Sequence, residues 1–163
     1  MRGRHIGVSE HTILVAQSNL ARTYVMLGRL DEALHVKRDV YSGFLKLLGE
    51  EHAYTFQAAL NYASTLTELK RFEESSSLMR KTVPVARRVL GENYETTLKM
   101  RWLYARALYE DPAAPLDHLR EAVTTLEDTE RIARRVLGGT HPTTEGIEYD
   151  LRRARAVLRA REE

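Results

Sequence analysis

The chain has 163 residues, 43% of them apolar and 29% charged, and its 25 basic and 23 acidic side chains leave a net charge of +2. That balance exerts no strong pull on nucleic acid or a membrane surface, and the absence of cysteine excludes disulfides and thiolate chemistry. No apolar run approaches the ~20 residues that cross a bilayer, and the basic start, Met-Arg-Gly-Arg-His at 1–5, leads into a polar helix rather than an apolar signal core. Cytoplasmic residence is therefore the expectation by elimination.

In chain order, the first helix is expected over 9–27, where Leu14, Gln17, Leu20, Ala21, Tyr24 and Leu27 recur at steps of three and four. Gly28-Arg29 breaks that run. A second helix over 30–48 carries Leu30, Ala33, Leu34, Val40, Tyr41, Phe44, Leu47 and Leu48, and Leu48-Gly49 closes it. The same alternation continues with helices over 54–69, 72–90, 95–110, 116–137 and 143–161. Thr12, Thr55, Thr97 and Thr144 lie near the starts of the odd-numbered helices, where hydroxyls can cap. Pro84 falls inside the fourth helix and is expected to kink it by removing a hydrogen bond. The segment from Glu110 to Pro115 lengthens the loop before the sixth helix, so that hairpin is expected to be splayed or differently angled. Nothing alternates with period two over a useful length. The chain reads as all-α, with about seven helices.

These helices repeat in pairs. Ala-Arg-Arg-Val-Leu-Gly stands at 86–91 and again at 133–138, with a looser copy, Phe-Leu-Lys-Leu-Leu-Gly, at 44–49; the spacings are 42 and 47 residues. Asn19-Leu20-Ala21 falls on Asn61-Tyr62-Ala63 and then on Leu103-Tyr104-Ala105. The extra residues around Asp111 to Pro115 account for the longer spacing. Ala33, Ser75 and Ala122 coincide and mark where paired helices approach closely. A period of this size describes stacked helix-turn-helix units, since one unit cannot bury its apolar face alone. The units run over about 7–48, 49–90 and 91–137, with a terminal half-repeat at 138–163, all within a single domain spanning 1–163.

Asn-Leu-Ala-x-x-Tyr-x-x-x-Gly-Arg-Leu-x-Glu-Ala at 19–33, Leu-Gly-x-x-His at 48–52 and Leu-Gly-Gly-Thr-His-Pro-Thr-Thr at 137–144 resemble the 42-residue tetratricopeptide repeat of kinesin light chains over essentially the whole chain. Ala53 and Glu95 stand where that pattern has Pro, Ser75 where it has Ala, and Leu103 where it has Asn. No coiled-coil heptad segment accompanies the repeats. The resemblance implies a right-handed α-solenoid whose first helices line a concave face, and a protein or peptide partner lying in it.

By helical register, that face carries Ser18, Asn19, Arg22 and Met26 in the first unit, and Leu60, Asn61, Ser64 and Glu68 in the second. Lys99, Trp102, Arg106 and Tyr109 follow in the third, and Tyr149 and Arg153 in the last helix. Asn19 and Asn61 are candidates for pairing with a peptide backbone, because an amide both donates and accepts; the resemblance supports that role for these two. Arg22, Arg106 and Arg153 are candidates for acidic side chains. Trp102 and Tyr109 are residue types that dominate interface energy. The competing reading has Trp102 packed between helices and the arginines solvated. Leu60 and Trp102 occupy places where a two-carboxylate clamp for chain termini needs polar groups, which argues against that mode.

Other chemistry finds no support in the sequence. The six histidines include no pair at helical metal spacing, and His52 and His141 share a turn position. Gly138-Gly139 lacks the spacing of a phosphate loop. No catalytic constellation is recognisable, so neither enzymatic activity nor a cofactor or metal is expected. The reading that results is a non-enzymatic interaction module for an extended peptide or partner helix, possible preference for acidic partners included. A self-associating scaffold, built on the apolar faces at the open ends, is the alternative. The arginine-rich tail, with Arg131, Arg134, Arg135, Arg152, Arg153, Arg155, Arg159 and Arg161, reads as a solvated cap, with RNA contact the less favoured reading.

Overall fold

The structure, a computed structural model, describes residues 9–163. Seven helices follow one another: α1 (Glu10–Met26), α2 (Leu30–Leu48), α3 (Ala53–Glu68), α4 (Phe72–Val89), α5 (Glu95–Tyr109), α6 (Leu116–Leu137) and α7 (Pro142–Glu162). Each packs against its neighbours in sequence, and α5 also touches α3 and α7. The odd-numbered helices thus form one layer and the even-numbered helices the other. This is an all-α helical repeat fold.

The sequence punctuation acts as the spacing implies. Gly49, Gly91 and Gly138 close the second helices with φ of 87°, 91° and 92°, a left-handed backbone that glycine adopts without a Cβ penalty. Lys70 takes the turn position that Gly28 holds one unit earlier, and with φ of 61° it is the lone non-glycine residue in this region among the described residues. Ala33, Ser75 and Ala122 are fully buried where paired helices meet. The Ser75 hydroxyl fits there because it donates to the Ala63 carbonyl at 3.0 Å and shares a hydrogen bond with Thr67 at 2.7 Å.

Two expectations are corrected. The threonines do not cap. Ser9 caps α1 through the Thr12 amide at 3.2 Å, and the imidazole Nδ1 atoms of His52 and His141 accept the amides of Tyr54 and Thr143 at 3.1 and 3.2 Å. Thr55, Thr97 and Thr144 sit one turn further in, buried, with hydroxyls that have no partner. The third hairpin is not splayed either. Helices α5 and α6 pack nearly as extensively as α1 and α2, because the added residues fold into their own turn. Asp111 accepts the Ala113 amide at 2.9 Å, Ala114 is buried, and Arg161 donates to the Ala114 carbonyl at 3.2 Å. Helix α4 runs on through Pro84 to Val89, with Pro84 on its exposed side, where the ring meets water rather than the core.

One large core runs from Phe56 through Met79, Leu98, Met100, Leu119 and Leu126 to Ile147 and Ala154. A small second cluster of Leu14, Val40, Phe44 and Ala58 holds the first unit to the second. At about 25 cal/mol per Å² of apolar surface removed from water, the large cluster dominates the energetics. The first unit is the lightly anchored end.

Candidate functional site

The layer of odd-numbered helices carries a chain of clefts. The backbones of α1 and α3 stay apart, whereas α3 and α5 touch, as do α5 and α7. The first cleft, about 380 Å³, is lined by Ser18, Asn19, Arg22, Gln57 and Asn61 from α1 and α3, with Lys37 and Val40 rising from α2 beneath. The second, about 330 Å³, lies between α3 and α5 and is lined by Leu60, Asn61, Ser64, Lys99, Trp102 and Arg106. Asn61 belongs to both. Five of the seven candidate residues therefore line two adjoining clefts, as the register of the first helices implies.

Electrostatics divide these clefts. Arg22 makes no ion pair among the described residues and is exposed. Lys37 is half-buried and donates through Nζ to the Thr65 hydroxyl at 2.7 Å, and burial lowers its pKa against the opposing charge of Glu68. Neither cation is neutralised by direct contact with a carboxylate. Further along, Arg106 pairs with Glu110 at 2.9 Å, and Arg153 reaches the same carboxylate at 3.6 Å. Cationic character is thus free in the first cleft and already spent at the other end.

Lys37 was hidden from a reading confined to first helices. Its position in the repeat is held by Met79 in α4 and Leu126 in α6, both fully buried. A lysine where two sister units place core residues is the signal that marks it.

The two aromatic candidates belong to the wall more than to the open surface. Tyr109 is 3% exposed: its ring fills the junction of α5 and α7, at the wall of a further cleft it lines with Arg106 and Arg153, and its hydroxyl donates to Oδ1 of Asp150. Burial, reinforced by that carboxylate, pushes its pKa far up. Trp102 is half-buried. Its Nε1 donates to Oδ2 of Asp150 at 2.5 Å, and the ring lies against Gly146 of α7. One edge of the ring still faces the second cleft. The guanidinium of Arg153 lies over the rings of Tyr109 and Tyr149, 5.8 and 5.6 Å from their centroids.

Other charged features are satisfied internally. Among the tail arginines, Arg131 pairs with Asp128, Arg134 with Glu130 and Glu148, Arg152 with Glu148, and Arg155 with Glu127. Among the described residues no three metal-ligating side chains cluster, and no helix is long and apolar enough to cross a membrane.

Comparison with known proteins agrees with this architecture. The family model described as tetratricopeptide repeat matches residues 13–54 and 55–93, which covers the first two units with a start six residues later than the repeat reading sets it. No curated protein matches the sequence. Among solved structures, the putative kinesin light chain nearly identical TPR-like repeats of Podosopora anserina are 25% identical, with a TM-score of 0.75, over 96% of this chain and 72% of that one. A Q17M form of the same repeats gives a TM-score of 0.78 at the same identity and coverage. BtubC (BKLC) from P. vanneervenii shares the fold at 14% identity and a TM-score of 0.62, over 98% of this chain and 68% of that one. Repeats of this family are in general protein-interaction modules and typically non-enzymatic. With the paired helices, the closing glycines and these matches together, the chain belongs to the tetratricopeptide-repeat family, in its kinesin-light-chain-like form.

Proposed function

We propose that the groove on the odd-numbered helices binds an extended peptide, and that acidic side chains of that peptide enter the first cleft. The observation that carries this reading is the pair of cations, Arg22 and Lys37, left without carboxylate partners beside Asn19 and Asn61. Partial burial of Lys37 strengthens its attraction for an anion, since the effective dielectric falls away from bulk water. Asn61 accepts from Gln57 Nε2 at 3.0 Å, which leaves its own amide hydrogens for a peptide carbonyl. Asn19 offers both donor and acceptor. Leu60, Leu103 and the open edge of Trp102 in the second cleft suit an apolar side chain that follows. Arg106 and Arg153 contribute less than Arg22, because Glu110 already occupies them.

The test is a fluorescence-anisotropy titration with a library-selected acidic peptide. Replacing Arg22 and Asn61 together with Ala is expected to weaken binding at least ~10-fold, the equivalent of roughly 1.4 kcal/mol. Replacing the convex Arg88 and Arg131 should leave it within about twofold. Equal affinity for the wild type and the groove variant would remove the assignment.

A further inference from the structure

Helix α1 exposes an apolar stripe on the side opposite its groove residues. Ile13 and Leu20 are 45% exposed and Leu27 65%, with Ala16 exposed between them. The repeat shows what such a stripe is for. Position 20 corresponds to Tyr62, Tyr104 and Leu151, and position 16 to Ala58, Met100 and Ile147; position 13 corresponds to the buried Thr55, Thr97 and Thr144. In α3, α5 and α7 this face packs on the preceding even-numbered helix. In α1 no described residue covers it.

The other end of the stack differs. The face of α7 that would meet a following helix carries Glu145, Glu148 and Arg152, where α1, α3 and α5 place residues such as Leu14, Phe56 and Leu98. Arg152 and Arg134 both pair with Glu148. A polar end offers nothing to an apolar one, so copies of this chain do not stack head to tail.

We infer that α1 pairs with α1 of a second copy, antiparallel about a two-fold axis through Leu20. The stripe is symmetric about that residue. Leu20 meets its own counterpart, Ile13 comes opposite Leu27, and Ala16 comes opposite Tyr24. An isologous interface demands this self-complementarity. Charge permits it as well. Between residues 11 and 27 the sole charged side chain is Arg22, on the groove side, so no like charges meet. The stripe is about 21 Å long at 1.5 Å per residue, which places the contact at the small end of specific interfaces. The groove residues stay free, so a dimer presents two peptide sites.

Sedimentation of the 163-residue chain across concentration tests this. The wild type is expected to pass from monomer to dimer below about 1 mM, and Leu20→Glu to stay monomeric with an unchanged far-ultraviolet spectrum and melting curve. Because the chain has no native cysteine, Leu20→Cys under mild oxidation should give a disulfide-linked dimer, whereas Arg152→Cys should not. A wild type that remains monomeric at about 1 mM overturns the proposal and leaves the stripe to a helix of another protein. So does a dimer that Leu20→Glu leaves intact, since association would then run through another surface.

Discussion

Asp128→Ala is expected to lower stability by about 3–5 kcal/mol, a fall in melting temperature of roughly 10 °C or more for a domain of this size. The cause is Arg101 of α5, whose side chain is 8% exposed and pairs with Asp128 of α6 at 2.5 Å. Its Nη1 is already buried without a partner. Removing the carboxylate strands a desolvated guanidinium between two helices. The corresponding position is Ala59 in the second unit and Gln17 in the first, so the fold does not need the charge. Replacing both Arg101 and Asp128 with Leu is accordingly expected to be close to neutral, because the buried guanidinium and its half-exposed partner leave together with the desolvation cost. The pair also sets a pH dependence. Hydrogen bonding to Arg101, with further help from Arg131, holds the Asp128 carboxyl below the usual carboxylate range. A folded-state pKa below the unfolded value stabilises above about pH 4. That contribution disappears as pH falls through the lowered value. Thermal melts at pH 7 and pH 3 should therefore converge for wild type and Asp128→Ala only at the acid end.

Gly146→Ala should cost about 2 kcal/mol even though alanine is the better helix former. A Cβ at this position overlaps Cη2 of Trp102 and lies 2.6 Å from Cζ2. The indole is a rigid plate, so it must leave its seat on α7, and the hydrogen bond to Asp150 goes with it. Asp150 is 4% exposed and would keep Tyr109 as its close donor. Overpacking and a lost hydrogen bond to a buried carboxylate together outweigh the gain of about 1 kcal/mol in propensity. Gly43→Ala in α2 is the informative contrast. Its Cβ meets the tip of Leu14 at 2.5 Å, a flexible end that can turn aside, so the change should be near neutral. Melting curves separate the two, and the emission of the single tryptophan should shift to the red in Gly146→Ala alone.

The architecture was legible because it repeats. The Leu-Gly pairs at 48–49, 90–91 and 137–138 mark the ends of α2, α4 and α6 to within a residue, and the small residues at 33, 75 and 122 mark the helix crossings. Local chemistry was less legible where two residue types compete for one task. A threonine near a helix start suggests a cap, yet the histidine three residues earlier caps α3 and α7, which frees Thr55 and Thr144 to turn inward. The site was half legible. Helical register placed Asn19, Arg22 and Asn61 in one cleft. It did not reveal that Trp102 and Tyr109 are held by Asp150, which lies 48 and 41 residues away on α7. Nor did it show Glu110 between Arg106 and Arg153. Such partners follow from the stacking of helices and not from the periodicity of any one of them.

This division between what repeats and what varies gives the groove its character. Leu14, Phe56 and Leu98 keep the layers together, while Arg22, Ser64 and Arg106 differ at one equivalent position and face the clefts. Lys37 is the sharpest departure, a cation where Met79 and Leu126 are core. The acidic preference of the first cleft rests on it and on Arg22.

Amide chemical shifts recorded while the selected acidic peptide is titrated into the wild-type protein test the central claim most directly. The largest changes are expected at Asn19, Arg22 and Asn61, with the indole resonance of Trp102 moving in step and the convex faces of α4 and α6 silent. Changes centred on those convex faces, or on the apolar stripe of α1, would contradict the assignment of the groove as the peptide site.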